Sequence, residues 1–212
     1  MTETQKKFRR RAEARPDEVL NAALAVFVEK GYAAAKVDEV ARRAGVSKGT
    51  VYLYFPSKEA LIEGIVRRAV APIALRAVPD LETFEGDPRL PITMLLTVLI
   101  QQLARPEASA VPRLVIREVM SFPFIANFYR NEVLGKVMPA LIRLIERGVE
   151  TGQLRPVDPE LTVRSIIGPL LAHVALGELF GITPAKGLEL ERFLANHLDI
   201  LFHGISAQPE EA

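Results

Sequence analysis

Apolar positions recur with a helical period along most of the chain, and no stretch shows the strict alternation of a half-buried strand. Glycines and prolines divide the apolar stripes into about nine segments of helical length. The first segment is expected to begin at Pro16 and to end at Gly31, since proline suits a first turn and glycine tolerates the backbone of a helix end. The pattern therefore predicts an all-α fold.

Two later stretches depart from an ordinary amphipathic helix. Residues 76–91 contain three prolines, Gly86 and several acids, a composition that predicts a loop. Residues 92–103 are almost wholly apolar, and a helix that is apolar all round is expected to be buried on every side. The sequence thus predicts an irregular connection followed by a central helix of the C-terminal region.

The most specific pattern comes soon after the first helix. A short apolar stripe over residues 37–44 is followed by Gly45, whose tolerance of a left-handed backbone suits a tight turn. Ser47 can then cap a second helix over residues 48–54, and Val51 supplies the inward side of that helix. Two short helices about a glycine turn predict a helix-turn-helix, a motif that places its second helix in the DNA major groove.

The outer side of this second helix carries residues that packing alone does not require. Lys48 stands at the helix N-terminus, where the helix dipole disfavours a cation but a phosphate would be favoured. Gly49 costs about 1 kcal/mol of helix stability relative to alanine, and it would let a partner approach the backbone closely. Thr50, Tyr52 and Leu53 project away from the inward side. A three-helix packing unit without DNA would need the same turn and cap, but not this outer face.

These features resemble the DNA-binding domain of the TetR family of transcriptional regulators over residues 16–64. The motifs that carry the resemblance are Gly31-Tyr32, Val37-x-x-Val40-Ala41, the run from Ala44 to Tyr52, and the run from Phe55 to Leu61. One position departs from the family pattern. Ala35 and Lys36 stand where a serine or threonine usually caps the next helix, so the cap is lost and Lys36 could replace its phosphate contact only by charge.

The resemblance implies a surface that reads DNA. Lys48 and Lys58 are expected on phosphates, and Tyr54 on the backbone. Leu53 offers only an apolar contact, for instance to a thymine methyl group. The full set of implied DNA-binding residues is Lys36, Ser47, Lys48, Gly49, Thr50, Tyr52, Leu53, Tyr54 and Lys58.

Charge is distributed unevenly although the net charge is only +1. Residues 1–58 carry 12 Lys or Arg against 7 Asp or Glu, whereas residues 59–212 carry 15 against 19. A basic N-terminal part on an acidic remainder suggests that only the former faces a polyanion. Residues 1–15 are basic with almost no apolar anchors, so we expect a disordered arm, either a solvated tail or an arm that binds phosphate or the minor groove.

Composition also narrows the class of protein. Cysteine is absent, which excludes a disulfide framework and a thiolate metal site. The three histidines have no metal-binding spacing, and no nucleophile motif or glycine-rich phosphate loop is present, so we expect no catalytic site, cofactor or metal. The N-terminus does not resemble a signal peptide, and charge or proline interrupts the apolar runs. We therefore expect a cytoplasmic protein that spans no membrane.

The resemblance divides the chain into four parts. A basic arm over residues 1–15 precedes a three-helix helix-turn-helix domain over 16–64, here called the head. Residues 65–206, here called the body, form a helical bundle with effector-binding and dimerisation roles, and 207–212 form a flexible tail. Family members dimerise through their two C-terminal helices, which implies a homodimer through residues 159–205. Independently of the resemblance, recognition of two half-sites about 34–36 Å apart on DNA requires a dimer.

The body is also expected to hold a small-molecule chamber. A methionine and aromatic set at helical spacing is more often plain core, and a histidine such as His173 on an apolar helix is more often a satisfied core residue. Arg117 can instead pair with Glu118 or another acid. Arg117 or Gln101 would anchor an anionic or carbonyl-bearing effector. The candidate lining residues are Met94, Val98, Gln101, Arg117, Met120, Phe122, Phe124, Phe128, Tyr129 and His173.

The resulting hypothesis is a ligand-responsive transcriptional regulator, with repression as the family's usual mode. A small, largely apolar effector of unknown identity would release the homodimer from a palindromic operator in double-stranded DNA. The alternative is an architectural, nucleoid-type DNA-binding protein, which would share the head but need no effector. An enzyme that uses the body cavity is a third class, and the missing catalytic motifs disfavour it.

Overall fold

In a computed structural model, which describes residues 3–69, 71–182 and 189–205, all regular structure is helical. This confirms the all-α fold, with a π-helical turn at Arg130–Leu134 between α8 and α9. The helices are α1 Glu3–Ala34, α2 Val37–Ala44, α3 Lys48–Tyr54, α4 Lys58–Ala69, α5 Ala71–Thr83, α6 Arg89–Ala104, α7 Pro106–Glu118, α8 Pro123–Tyr129, α9 Gly135–Glu150, α10 Pro159–Phe180 and α11 Leu190–Ile205.

The first helix is longer than the sequence predicted. It begins at Glu3 rather than Pro16, so the backbone of residues 3–15 is helical where we expected a disordered arm. Arginine, lysine, glutamate and alanine fill much of this stretch, and all are strong helix formers. At its other end the helix is broken as expected, because Gly31 has φ 76° and ψ 161°, outside the helical region.

Two helices were missed by the proline and glycine pattern. Helix α5 covers residues that we expected in a loop, although Pro79 lies inside it. Its apolar side packs into the body, with Leu81 buried, and the Arg147 guanidinium donates a 2.7 Å hydrogen bond to the Leu81 carbonyl. Tertiary packing therefore outweighs the unfavourable composition of this segment. The short helix α8 is the second addition.

The buried residues fall into two clusters. The first joins α1, α2, α3 and α4 with residues of α7 and α8, so the head shares its core with part of the body. The second lies among α5, α6, α9, α10 and α11. Helix α4 contributes Leu61, Ile62, Ile65 and Val66 to the first cluster, and α5 follows it after one residue. The connection between α4 and α5 therefore leads from one core to the other.

Helix α6 is not buried all round, contrary to expectation. Ile92 and Leu96 face the second core and are fully buried. On the other side Met94 is 59% exposed and Val98 is 40% exposed. The uniform hydrophobicity of this helix thus has two causes, a core on one face and an open apolar groove on the other.

Gly64 provides a test of how tightly the first core is packed. A Cβ at this position would lie 2.9 Å from side-chain atoms of both Leu20 and Phe55. We expect Gly64→Ala to lower the free energy of unfolding by about 1–3 kcal/mol, because overpacking outweighs the better helix propensity of alanine. Gly204→Ala is the matched control, since nothing lies within 4 Å of its added Cβ. Urea titrations should show the opposite sign for the control, and two stabilised variants would contradict this packing.

Candidate nucleic-acid interface and ligand groove

The turn between α2 and α3 has the geometry that its sequence predicted. Gly45 has φ 66° and ψ 30°, a left-handed backbone that glycine adopts readily. The Val46 N–H donates to the Ala41 carbonyl at 3.0 Å and the Gly45 N–H to the Arg42 carbonyl at 3.3 Å. The last carbonyls of α2 are therefore satisfied within the turn, and the chain is directed into the next helix.

Helix α3 is fixed at its start by a side-chain cap and in its middle by one buried residue. The Thr50 N–H donates to Ser47 Oγ at 3.1 Å, and the two hydroxyl oxygens lie 2.8 Å apart. Val51 is completely buried in the first core, and Phe55 packs against it. Ser57 caps the following helix in the same way, accepting from the Ala60 N–H at 3.1 Å.

The opposite side of α3 is open. Tyr52 is 42% exposed and Leu53 is 77% exposed. Ser47, Lys48 and Gly49 are also exposed, whereas Thr50 and Tyr54 are half-buried. The residues expected on DNA thus occupy one accessible face around the start of the helix, and an added Cβ at Gly49 would meet only Ser47 Oγ at 3.8 Å.

Two of the three implied phosphate-binding lysines are exposed, and the third is half-buried. Lys36 is exposed, and it precedes α2 without a side-chain cap, as its sequence predicted. The Lys48 ammonium forms a 3.0 Å ion pair with Asp38 of α2, and this hydrogen-bonded carboxylate raises the lysine pKa. Both partners of that pair are solvent-exposed, so a phosphate could replace Asp38 at little cost.

The third lysine points back into the protein. The Lys58 ammonium donates a 3.0 Å hydrogen bond to the Ala33 carbonyl and lies 4.5 Å from the centroid of the Tyr32 ring. Partial burial lowers its pKa despite the nearby Glu59 and Glu118 carboxylates. Lys58 therefore stabilises the segment between α1 and α2, and in this arrangement it does not extend toward the outer face of α3.

Arg117 joins the body to the head rather than lining a chamber. Its guanidinium donates to the Phe27 carbonyl at 2.9 Å, near the end of the α1 helical turns, and lies 3.3 Å from the Glu118 carboxylate. Glu118 is only 8% exposed, and it accepts a 3.2 Å hydrogen bond from the Tyr32 N–H just after the break at Gly31. The end of α7 thus supplies a donor and an acceptor to the broken end of α1. We call this the α7–α1 contact.

A groove of about 710 Å³ opens in the body between α5 and α6, a size typical of sites for drug-sized ligands. Two of the predicted lining residues, Met94 and Val98, lie in it. Its walls are mainly apolar, with charged and amide groups among them. The lining residues are Pro72, Arg76, Ala77, Asp80, Leu81, Thr83, Phe84, Glu85, Pro91, Met94, Leu95, Val98 and Gln102.

The other eight candidates lie elsewhere. Phe122 and Phe124 pack around Tyr32, with ring centroids 4.7 and 5.5 Å from its ring, so they belong to the first core. His173 stacks on Phe193 of α11 at 4.7 Å, and its buried Nε2 has no hydrogen-bond partner among the described residues. The candidates outside the groove are Gln101, Arg117, Met120, Phe122, Phe124, Phe128, Tyr129 and His173.

Sequence reasoning missed most of the groove because it placed α5 in a loop. Arg76 and Asp80 lie one turn apart on one face of α5, and Phe84 follows Asp80 by the same four residues just after the helix ends. This spacing was the available signal. On α6 the same spacing relates Met94, Val98 and Gln102, so the amide in the groove is Gln102 rather than Gln101.

The outer face of α10 is apolar and uncovered. By length and composition alone, α10 is the one described helix that could cross a membrane. Its inner face, however, packs Val163 and Ile166 into the second core, and Leu170 is buried as well. Glu178 forms a 3.2 Å ion pair with Arg113 of α7. The exposed apolar residues of α10 and α11 are Leu161, Leu171, Leu176, Leu179, Phe180 and Ile200.

The two sides of α3 should respond differently to truncation. Val51→Ala removes buried carbon atoms and should lower the free energy of unfolding by about 2 kcal/mol. Tyr52→Ala, on the neighbouring exposed position, should change it by less than about 0.5 kcal/mol. Denaturant unfolding of both variants measures this difference, and equal losses would mean that the outer face is part of the core.

Comparisons with known proteins address both parts of the chain. The family model described as bacterial regulatory proteins, tetR family, matches residues 19–65, and that of the tetracyclin repressor-like C-terminal domain matches residues 78–185. The chain is 30% identical over 148 residues to the uncharacterized HTH-type transcriptional regulator YhgD of Bacillus subtilis, covering 68% of this chain and 74% of YhgD.

Solved structures share the fold over nearly the whole length. The fatty acid degradation regulator FadR from Bacillus halodurans has a TM-score of 0.72 at 26% identity, covering 89% of this chain and 98% of its own. A complex of SmeT with triclosan has a TM-score of 0.72 at 22% identity, covering 91% and 92%, and SmeT is described as the repressor of the Stenotrophomonas maltophilia multidrug efflux pump SmeDEF. From the two family models and the relationship to YhgD, the chain belongs to the TetR family of DNA-binding transcriptional regulators.

Proposed function

We propose that this regulator is a repressor that binds a palindromic operator as a homodimer and is released by a small, largely apolar ligand. The observation that carries the proposal is the outer face of α3, which is exposed, free of core packing and next to Lys48. In the proposed complex with the operator, α3 lies in the major groove, with its N-terminus and Lys48 toward phosphates. Tyr52 and Leu53 then face base edges.

Dimerisation is supported by the exposed large apolar residues of α10, to which α11 adds Ile200. Large exposed apolar patches are uncommon on monomeric proteins and usually mark an interaction surface. A second copy of the same two helices would cover both faces at once through a two-fold axis. It would also supply the second α3 that a palindromic operator requires. The proposed interface spans residues 159–205, and within it residues 183–188 lie outside the described part of the chain.

Release by a ligand is supported by the position of the groove. One wall of the groove is α5, which follows α4 after a single residue, and α4 belongs to the core of the head. A ligand that separates α5 from α6 can therefore tilt α4, provided that it binds the tilted arrangement more tightly. The α7–α1 contact is a second connection between body and head. Coupling of about 1–3 kcal/mol, typical of allosteric proteins, would weaken operator binding roughly 5- to 150-fold.

The relatives support this proposal by analogy. The printed description of SmeT names it as a repressor and its complex contains triclosan, so a member of this fold both represses and binds a small molecule. The described residues of this chain contain no cluster of three potential metal ligands. We place its action in the cytoplasm, where its DNA target would lie.

Lys48 allows a direct test of the DNA contact. Lys48→Ala should weaken operator binding and reduce the slope of log K against log salt by about one unit, because one fewer phosphate is neutralised. Asp38→Asn removes the competing carboxylate, so it should tighten binding. Arg43→Ala is the control, since Arg43 is held by Glu29 at 2.6 Å and is not among the proposed contacts. A wild-type salt slope in Lys48→Ala would remove Lys48 from the phosphates.

The dimer is tested by placing charge on its proposed interface. Leu171→Glu combined with Leu179→Glu should convert the protein to a monomer at micromolar concentration and abolish binding to a two-half-site operator, because both side chains lie on the exposed face of α10. Leu90→Glu, at a comparably exposed position on α6, should remain dimeric. Light scattering coupled to size exclusion gives the mass. A monomeric wild-type protein would contradict the interface.

A further inference from the structure

Three charged side chains line the groove, and they are not paired with one another. Arg76, Asp80 and Glu85 are all exposed, and none forms an ion pair or hydrogen bond among the described residues. The wall of the groove therefore carries two carboxylates against one guanidinium. Because these groups have no partners within the described part of the chain, their charge is available to a ligand.

The two carboxylates lie toward one end. Residues 84–88 connect α5 to α6, so Phe84, Glu85 and Pro91 mark the connected end of the groove. Asp80 precedes Phe84, the first residue after α5, by four residues, and both line the groove. Arg76 lies one further turn away from that end, beyond Asp80. The connected end is thus acidic, whereas the single cation lies toward the opposite end.

An aromatic ring at the connected end also favours a positive charge. Phe84 lines this end, and the face of an aromatic ring attracts organic cations, especially beside carboxylates. The C-terminus of α5 is already capped, because the Leu81 carbonyl accepts from the Arg147 guanidinium and the Pro79 carbonyl accepts from the Thr83 hydroxyl. The aromatic ring and the two carboxylates together form a recognition site for an ammonium or related group.

The rest of the groove suits an apolar group. Its floor consists of Leu81 and Leu95, both buried in the second core, and its open wall carries Met94 and Val98. Methionine adapts its shape to irregular ligands. From Pro72 to Thr83 the α5 wall spans about 16 Å at 1.5 Å per residue, long enough for an extended ligand.

We propose that the groove binds an amphipathic organic cation, with its charged group near Asp80, Phe84 and Glu85 and its apolar part along Leu95, Met94 and Val98. The inference rests on the proposed function, because it specifies the class of ligand for the same groove. The sequence predicted a largely apolar effector, and the groove now adds one positively charged end to that molecule. The anchors are Asp80 and Glu85 instead of Arg117 or Gln101.

The test compares probes that share one apolar chain and differ in the head group. Dodecyltrimethylammonium, dodecanoate and dodecanol would be titrated into the full-length protein by calorimetry, below the concentration at which they form micelles. We expect the ammonium probe to bind at least tenfold more tightly than dodecanoate. Equal affinities, tighter binding of dodecanoate, or no binding of the ammonium probe would overturn the proposal.

Variants test whether the preference for the ammonium head group arises in the groove. The double variant Asp80→Asn, Glu85→Gln should lose most of the tenfold preference while retaining the affinity for dodecanol, and both positions are exposed enough to leave the fold intact. Glu150→Gln, an exposed acid at the end of α9 outside the groove, is the matched control and should keep the preference. An unchanged preference in the double variant would overturn the assignment of the two carboxylates.

A second readout separates this proposal from the proposed function. Release of an operator fragment by each probe would be followed by fluorescence anisotropy of labelled DNA. Release by the ammonium probe at lower concentration than by dodecanoate supports the cation site. If dodecanol or dodecanoate releases DNA equally well, the proposed cation site is contradicted. The proposed function, release of DNA by a ligand in the groove, would still be supported by that result.

Discussion

The burial of Val51 is the interaction on which the DNA-reading surface depends. A helix of seven residues is too short to be stable in water by itself, so α3 must be held by tertiary contacts. Val51 anchors it to the core formed with α1 and α4, and the Ser47 cap and the Gly45 turn fix its start. Because one inward residue and one cap suffice, the remaining positions of α3 are free for contact with a partner.

The same core extends into the body, which ties recognition to the rest of the molecule. Val111, Leu114 and Ile125 of α7 and α8 are buried with the residues of the head. The α7–α1 contact adds polar connections at the broken end of α1, where Glu118 accepts from the Tyr32 N–H. A movement of α7 or α4 therefore cannot leave the head unchanged. This arrangement is suited to a protein whose DNA binding responds to events in its body.

Local features were predictable from sequence, whereas long-range ones were not. Gly31, Gly45 and Ser47 act within a few residues of themselves, and their roles were confirmed by the observed backbone angles and caps. The helical state of α5 depends on burial of Leu81 against distant residues of α9, whereas the proline and glycine content of this stretch predicted a loop. The carbonyl that Arg117 binds is 90 positions away in sequence, so only the open possibility of an ion pair with Glu118 could be foreseen.

The site residues show the same difference between local and long-range features. Every implied DNA-binding residue is left accessible at least in part, because a motif of fixed length determines which side of α3 faces outward. The Lys58 ammonium, however, is held by the Ala33 carbonyl. Of the candidate ligand residues only Met94 and Val98 line the groove, since hydrophobicity alone does not tell an open wall from a core. The acidic end of the groove exists only because α5 packs beside α6, and the sequence pattern did not predict that packing.

Selection of bound sites from a random DNA pool would show whether two symmetry-related copies of α3 read DNA together. We expect enrichment of an inverted repeat whose half-sites are centred about one helical turn, or a small multiple of it, apart. Enrichment of a single unrepeated half-site, or retention of DNA without sequence preference, would contradict it.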